Sequence, residues 1–342
     1  MDGALGALGV ANPVLAAPMA GGPTTPELVT SAAAAGSLGF LAGGYKTPGL
    51  LAEQIAAVRA VTGTFGVNLF APNPLPVDRD AYRDYVAHIR PEAARYGLDV
   101  SDNDPWEDDD SWSDKIDLLL SDPVPVVSFT FGIPDLAVIG ALRRVGTVTV
   151  QTVTTPEEAL EAVAAGADML AVQSFEAGGH SGTLHPDRPL GNLGLADLVK
   201  QVAAVVDRPL IGAGGLVDPE SVSDVLAAGA TAVAVGTALL RAPEAGTSGT
   251  YRAALAGANR PTVVIRAFTG RPARGIPNAF TDSHNDLAPL GYPALHHLTS
   301  PIRRAAAAAG DADRINLWAG TGYRSAGQEP VGRILDRLAQ HI

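Results

Sequence analysis

The stretch "TVTVQTVTTPEEALEAVAAGADMLAVQS", residues 147–174, decides the fold. Residues 147–153 are uncharged and rich in β-branched side chains, which suits a buried strand. At 155–157 stands Thr-Pro-Glu, an N-cap threonine with proline at the first helical position. The helical pattern of 155–167 reaches Gly166, a residue that ends helices. A second β-type run, "DMLAVQS" (168–174), follows at once. Strand, helix, strand in so short a span is a parallel crossover unit.

Outward from this unit the same rhythm repeats in both directions. Strand-like runs occur at 13–18, 38–44, 65–70, 124–132, 209–215 and 231–237. Together with the two above they make eight. They are nearly continuous in apolar residues rather than alternating, as in parallel strands covered on both faces. Helical stretches at 25–36, 48–63 and 218–230 also open with Thr or Asp, or Thr before Pro, and end at Gly. Eight such units imply an α/β fold, a (β/α)8 TIM barrel. Ligand groups should then lie just past the C-terminal ends of the strands.

Bulk composition bounds the function. The 342 residues suffice for one large domain or a large and a small one. A net charge of −12 disfavours nucleic acid and anionic membranes as partners. The absence of cysteine excludes disulfides, thiolate nucleophiles and Cys-ligated metals. No basic, apolar leader is visible at the N-terminus and no run is long enough to span a bilayer, so a soluble cytoplasmic protein is expected.

Two segments break the rhythm. Residues 71–120 are long, and their second half is acidic; a solvated loop or lid is the expectation there. A calcium loop counted from Asp102 would put Glu107 at the mid-loop glycine position and Ser113 at the terminal glutamate position, so no metal is expected. Residues 243–322 follow the eighth strand and are expected to form a smaller C-terminal capping domain over a barrel of residues 1–242. This cap holds one more strand, 261–268, then an Arg/Gly/Pro-rich stretch, 269–280, expected to be irregular. The terminal segment 323–342 is expected to pack back on the barrel as a helix.

The chemistry gathers at the expected strand ends. "GAGGL" (212–216) and "VGT" (235–237) follow the seventh and eighth strands, where barrels bind phosphate. Gly214 and Gly215 permit close approach, and Thr237 adds a hydroxyl. "GAGGLV" lacks the third glycine of a dinucleotide fingerprint. Small residues after the first strand (Ala17, Pro18, Met19, Ala20) and the amides Asn68 and Gln173 suit a flat heterocycle. With the phosphate loops they describe a flavin mononucleotide, FMN, across the barrel mouth. On the residues alone, the same phosphate could belong to the substrate of a lyase or isomerase. His180, in "FEAGGHSG" (175–182), follows the sixth strand and is the candidate base. Ser181, Arg274 and Tyr323 are weaker substrate candidates, with Arg266 and Arg271 beside them. For the arginines and Tyr323 a salt-bridged cap surface is the better reading. His296 and His297 are expected on that surface too.

The motifs "LAAPMAGG", "FGVNLF", "VQSFEAGGHSG", "LIGAGGL", "AVGTALL" and "AFTGRPARGIPN" together resemble the nitronate monooxygenases, over nearly the whole chain and in that family's order. The resemblance implies FMN held at Asn68, Gln173, Gly178 with its neighbour Gly179, Gly215 and the run Ala234, Val235, Gly236, Thr237. It implies His180 as catalytic base or anion anchor, and a small nitronate or nitroalkane with O2 as partners. Monomer and dimer both remain open. The related FMN-dependent enoyl-acyl-carrier-protein reductases, which use NAD(P)H, usually carry Glu where Gln173 stands, which favours the monooxygenase. Thr321 stands where the family commonly has Gln.

Overall fold

The crossover unit at 147–174 is present in the computed structural model, which describes residues 4–100 and 104–340. Its strands are β5 (Val148–Val153) and β6 (Met169–Gln173), parallel and in register with Val150 opposite Met169. Between them runs the helix Pro156–Ala164, with the Thr155 hydroxyl accepting from the Glu158 N–H. The same capping device starts the helices Pro26–Ala34, Pro48–Arg59 and Pro219–Ala227, from Thr25, Thr47 and Asp218. A capping oxygen there satisfies an N–H that the helix itself cannot.

The other barrel strands are β1 (Val14–Ala16), β2 (Phe40–Ala42), β3 (Gly66–Ala71), β4 (Val126–Phe131), β8 (Leu210–Ala213) and β9 (Ala232–Val235). All pair in parallel, in the order β1-β9-β8-β6-β5-β4-β3-β2, and a bridge from Ala16 to Gly39 closes the ring. This is a (β/α)8 barrel. Leu15, Phe40, Val126, Val150, Met169 and Ile211 share one buried cluster with Leu5 and Val10.

The numbering gap is β7 (Gly179–His180), a two-residue strand that leaves the barrel. It joins β10 (Val263–Ile265) and β11 (Ala273–Gly275) in a second, antiparallel sheet. The stretch 269–280 is irregular over 269–272 and 276–278, as its composition suggested, but not throughout. It forms β11 and opens the helix Ala279–His284. Glycine has a reason there, because a Cβ on Gly275 would meet the Leu317 carbonyl oxygen at 2.7 Å.

Residues 71–120 contain two helices, Arg79–Ala94 and Trp112–Ser121. The first packs its Tyr82, Tyr85, Val86 and Ile89 face against Phe268, Phe280, Leu295 and Ile302, in a core separate from the barrel. Asp102 lies outside the described residues, and no cluster able to hold a metal occurs among the described ones. The helix Val331–Leu338 buries Val331, Ile334, Leu335 and Leu338 in the cluster that holds Val14 and Leu28. No described helix is long and apolar enough to cross a membrane.

Candidate active site

A cavity of about 1160 Å3 lies between the strand ends and the second layer. Its wall includes Ala17, Pro18, Met19 and Ala20 after β1, Asn68 on β3, and Gln173 at the end of β6. Gly178, Gly179 and His180 line it, as do Gly214 and Gly215 after β8 and Ala234 to Thr237 at the end of β9. The backbone N–H groups of Gly214, Gly215, Gly236 and Thr237 donate to no other described residue. Four free donors on adjacent loops fit a phosphate. Gly214 and Gly215 adopt φ of +118° and +71°, which side-chain-bearing residues rarely do.

His180 is held from three directions. β7 pairs with β11, placing His180 opposite Ala273. The Gln173 side chain donates from Nε2 to the His180 carbonyl (3.1 Å) and accepts at Oε1 from the Gly182 N–H (2.7 Å). The buried Glu158 carboxylate accepts from the Thr183 hydroxyl and the Leu184 N–H, both at 2.7 Å, and ties the far end of the loop to the helix after β5. Gln173 thus acts as a brace, using one donor and one acceptor. A carboxylate at that place would set oxygen against the His180 carbonyl. Gln173→Glu is expected to lower stability to denaturant by about 1–3 kcal/mol, with the loss easing as the new carboxyl is protonated; urea unfolding at pH 5 and 8 checks this.

The imidazole sits in an aromatic box. Phe131, Tyr292 and Trp318 surround it with ring centroids 5.7, 5.8 and 5.5 Å away. Phe131 holds φ at +83°, an uncommon conformation for a residue with a side chain. The His180 Nε2 lies 2.9 Å from the Thr269 hydroxyl, which in turn donates to the Arg271 carbonyl at 3.3 Å. With the hydroxyl proton used there, Nε2 carries the imidazole hydrogen and Nδ1 is bare; the tautomer is assigned from this network. Burial, then the charges of Arg271 and Arg303, push the His180 pKa down to about 3. The imidazole is neutral across the physiological range.

Other sequence expectations fall elsewhere. Ser181 and Arg274 face a smaller hollow of about 260 Å3 on the other side of the β6–β7 loop. Arg274 is tied down by the Phe175 and Thr262 carbonyls. Tyr323 is buried and donates to the Arg260 carbonyl, outside the cavity. Arg271 is not on a salt-bridged surface. It is 0% exposed and lies over the Phe131 ring at 4.0 Å, with no carboxylate partner among the described residues. His296 and His297 are not on an outer surface either. Both line the cavity, stacked on Tyr45 and Trp106. Sequence reasoning missed Tyr45, Phe131, Thr269, Tyr292, Arg303 and Trp318. Only Thr269 carried a signal, through its place in "AFTGRPARGIPN".

The family model described as nitronate monooxygenase matches residues 4–341. The chain belongs to the nitronate monooxygenase family. It is 34% identical to a probable nitronate monooxygenase of Bacillus subtilis (strain 168), over 96% of this chain and 95% of that protein. The structure of a nitroalkane oxidase from Streptomyces ansochromogenes matches with a TM-score of 0.92 at 46% identity, covering 98% and 97% of the two chains. FabK from Thermotoga maritima matches with a TM-score of 0.76 at 25% identity, covering 99% and 95%. Nitronate monooxygenases are flavin-dependent oxidoreductases, so the cavity belongs to an enzyme of that class.

Proposed function

We propose that this enzyme binds FMN and oxidises alkyl nitronates with O2 to carbonyl compounds and nitrite, and that it accepts neutral nitroalkanes by deprotonating them at His180. The observation that carries the reading is a neutral, boxed imidazole on the same cavity wall as four free backbone donors. The phosphate of FMN would lie on Gly214, Gly215, Gly236 and Thr237, with Asn68 and the small residues after β1 along the ring system. When bound, FMN supplies the one-electron and oxygen chemistry. Residues 243–322 are proposed to act as the capping domain that shields this chamber from bulk water.

The protein's own work is orientation and proton transfer. Nδ1 of His180 takes the proton from the carbon beside the nitro group. The imidazolium then stands beside the nitronate it has made, and the new negative charge raises its proton affinity. Thr269 fixes the ring, while Phe131, Tyr292 and Trp318 exclude water from it. Because the His180 pKa lies near 3, its base form is complete from pH 6 to 8. Nitroalkane kcat/KM should therefore be flat over that window and fall only in strong acid. A limb with an apparent pKa near 6.5 would contradict this. The reading as a whole is tested by adding an alkyl nitronate to the aerobic, flavin-loaded enzyme. Oxygen uptake with nitrite release is expected; a loaded enzyme that produces no nitrite refutes it.

A further inference from the structure

We infer that Arg303, rather than His180, supplies the positive charge that selects anionic nitronates over neutral nitroalkanes. The inference rests on the nitronate reading above. Arg303 sits on the helix Ala294–Ala308 and lines the cavity. Every partner of its guanidinium is neutral: the Thr299 hydroxyl on Nε at 3.2 Å, Asn316 Oδ1 on Nη1 at 3.1 Å, and the His296 carbonyl and Nδ1 on Nη2 at 3.0 and 3.3 Å. No described carboxylate lies within ion-pair distance of it.

That isolation needs a reason in a chain with 36 acidic and 24 basic residues. Of the acids on the cavity wall, Asp108 is engaged by His297 at 3.1 Å and Asp110 by Lys115 at 2.7 Å, while Asp109 accepts from the Trp112 N–H, and neither Asp109 nor Glu176 is within ion-pair distance of Arg303. A partly buried cation without a counter-charge is costly, and the cost is relieved when an anion arrives. Arg271 adds positive field from behind Phe131, with its Nε and Nη1 buried and unpartnered. His296, which holds Arg303, stacks on Tyr45 and meets the edge of Tyr292, which in turn meets His180. Arg303 and His180 therefore serve one chamber. A nitronate is a planar oxyanion, the shape a guanidinium recognises. His180, kept uncharged, cannot do the same work in the free enzyme.

The test uses nitrate, a planar oxyanion that does not react, titrated calorimetrically into flavin-loaded wild type, Arg303→Met, Arg303→Gln, Arg303→Lys and His180→Gln. Loss of the charge in Met and Gln should weaken nitrate binding by about 10- to 100-fold. Lys should recover part of it, and His180→Gln should leave it within about threefold. KM for an alkyl nitronate should rise in parallel in the Met and Gln variants, while KM for the neutral nitroalkane, uncharged until its proton leaves, rises less. Circular dichroism and flavin content report folding, and the Lys variant decides alone if both neutral variants fail to fold: nitrate binding no weaker than wild type in Lys then counts against the fork. Wild type that binds no nitrate, folded neutral variants that bind it normally, or loss in His180→Gln instead would each overturn the inference. Wild type that binds nitrate yet turns over no nitronate would refute the proposed reaction and leave the anion site standing.

Discussion

His180→Asn is expected to lower turnover of neutral nitroalkanes by about 10²- to 10⁴-fold, the usual cost of losing a positioned base. Flavin content should be unchanged, because the imidazole contacts Thr269 and the aromatic box rather than the free donors at Gly214, Gly215, Gly236 and Thr237. The loop should stay in place, because Gln173 and Glu158 brace it through the backbone and the Thr183 hydroxyl rather than through the imidazole. Nitronates arrive without the proton that His180 removes, so their turnover should fall far less. Steady-state assays on both substrates, at matched flavin occupancy, separate the roles. An equal loss on both would remove proton abstraction from the account.

The second large effect concerns the loop that carries His180. Gly178→Ala would place a Cβ 2.5 Å from the Gly320 nitrogen and 2.6 Å from the Ala319 carbonyl carbon. Both are backbone atoms, so no side chain can rotate away. The β6–β7 loop and the 319–320 segment would have to separate. Overpacking of this kind costs about 3 kcal/mol at its upper range. Separation would also disturb the Thr321 N–H bond to the Glu176 carbonyl and the Gly320 N–H bond to the Thr237 hydroxyl, which join this loop to β9. Flavin retention on dialysis should weaken on the order of 100-fold, with a matching drop in thermal midpoint. Gly191, where a Cβ meets nothing within 4 Å, is the control position, and Gly191→Ala should behave as wild type.

The barrel is legible in the chain because its physics is local. Parallel strands covered on both faces read as unbroken apolar runs, and Thr25, Thr47, Thr155 and Asp218 mark helix starts through their own side-chain oxygens. The lining of the cavity by His180, Asn68, Gln173 and the strand-end glycines follows from the same regularity. The rest is tertiary. β7 has two residues and β11 three, and they meet across some ninety positions of sequence, so no periodicity announces them. The helix Arg79–Ala94 did carry a signal, in Tyr82, Tyr85, Val86 and Ile89 at helical spacing, which the acidic second half of that segment obscures. Arg303 and His296 lie on an amphipathic helix whose pattern is that of any surface helix. Their place at the cavity comes from facing Tyr45, contributed by a distant segment, and Tyr292, just ahead of their own helix.

The most direct measurement is an anaerobic titration of the purified, flavin-loaded protein, followed by the flavin spectrum. The account predicts that propionate 3-nitronate reduces the flavin while NADPH leaves it oxidised. Bleaching by NADPH with no response to the nitronate would contradict it and place the chain's activity with the enoyl reductases.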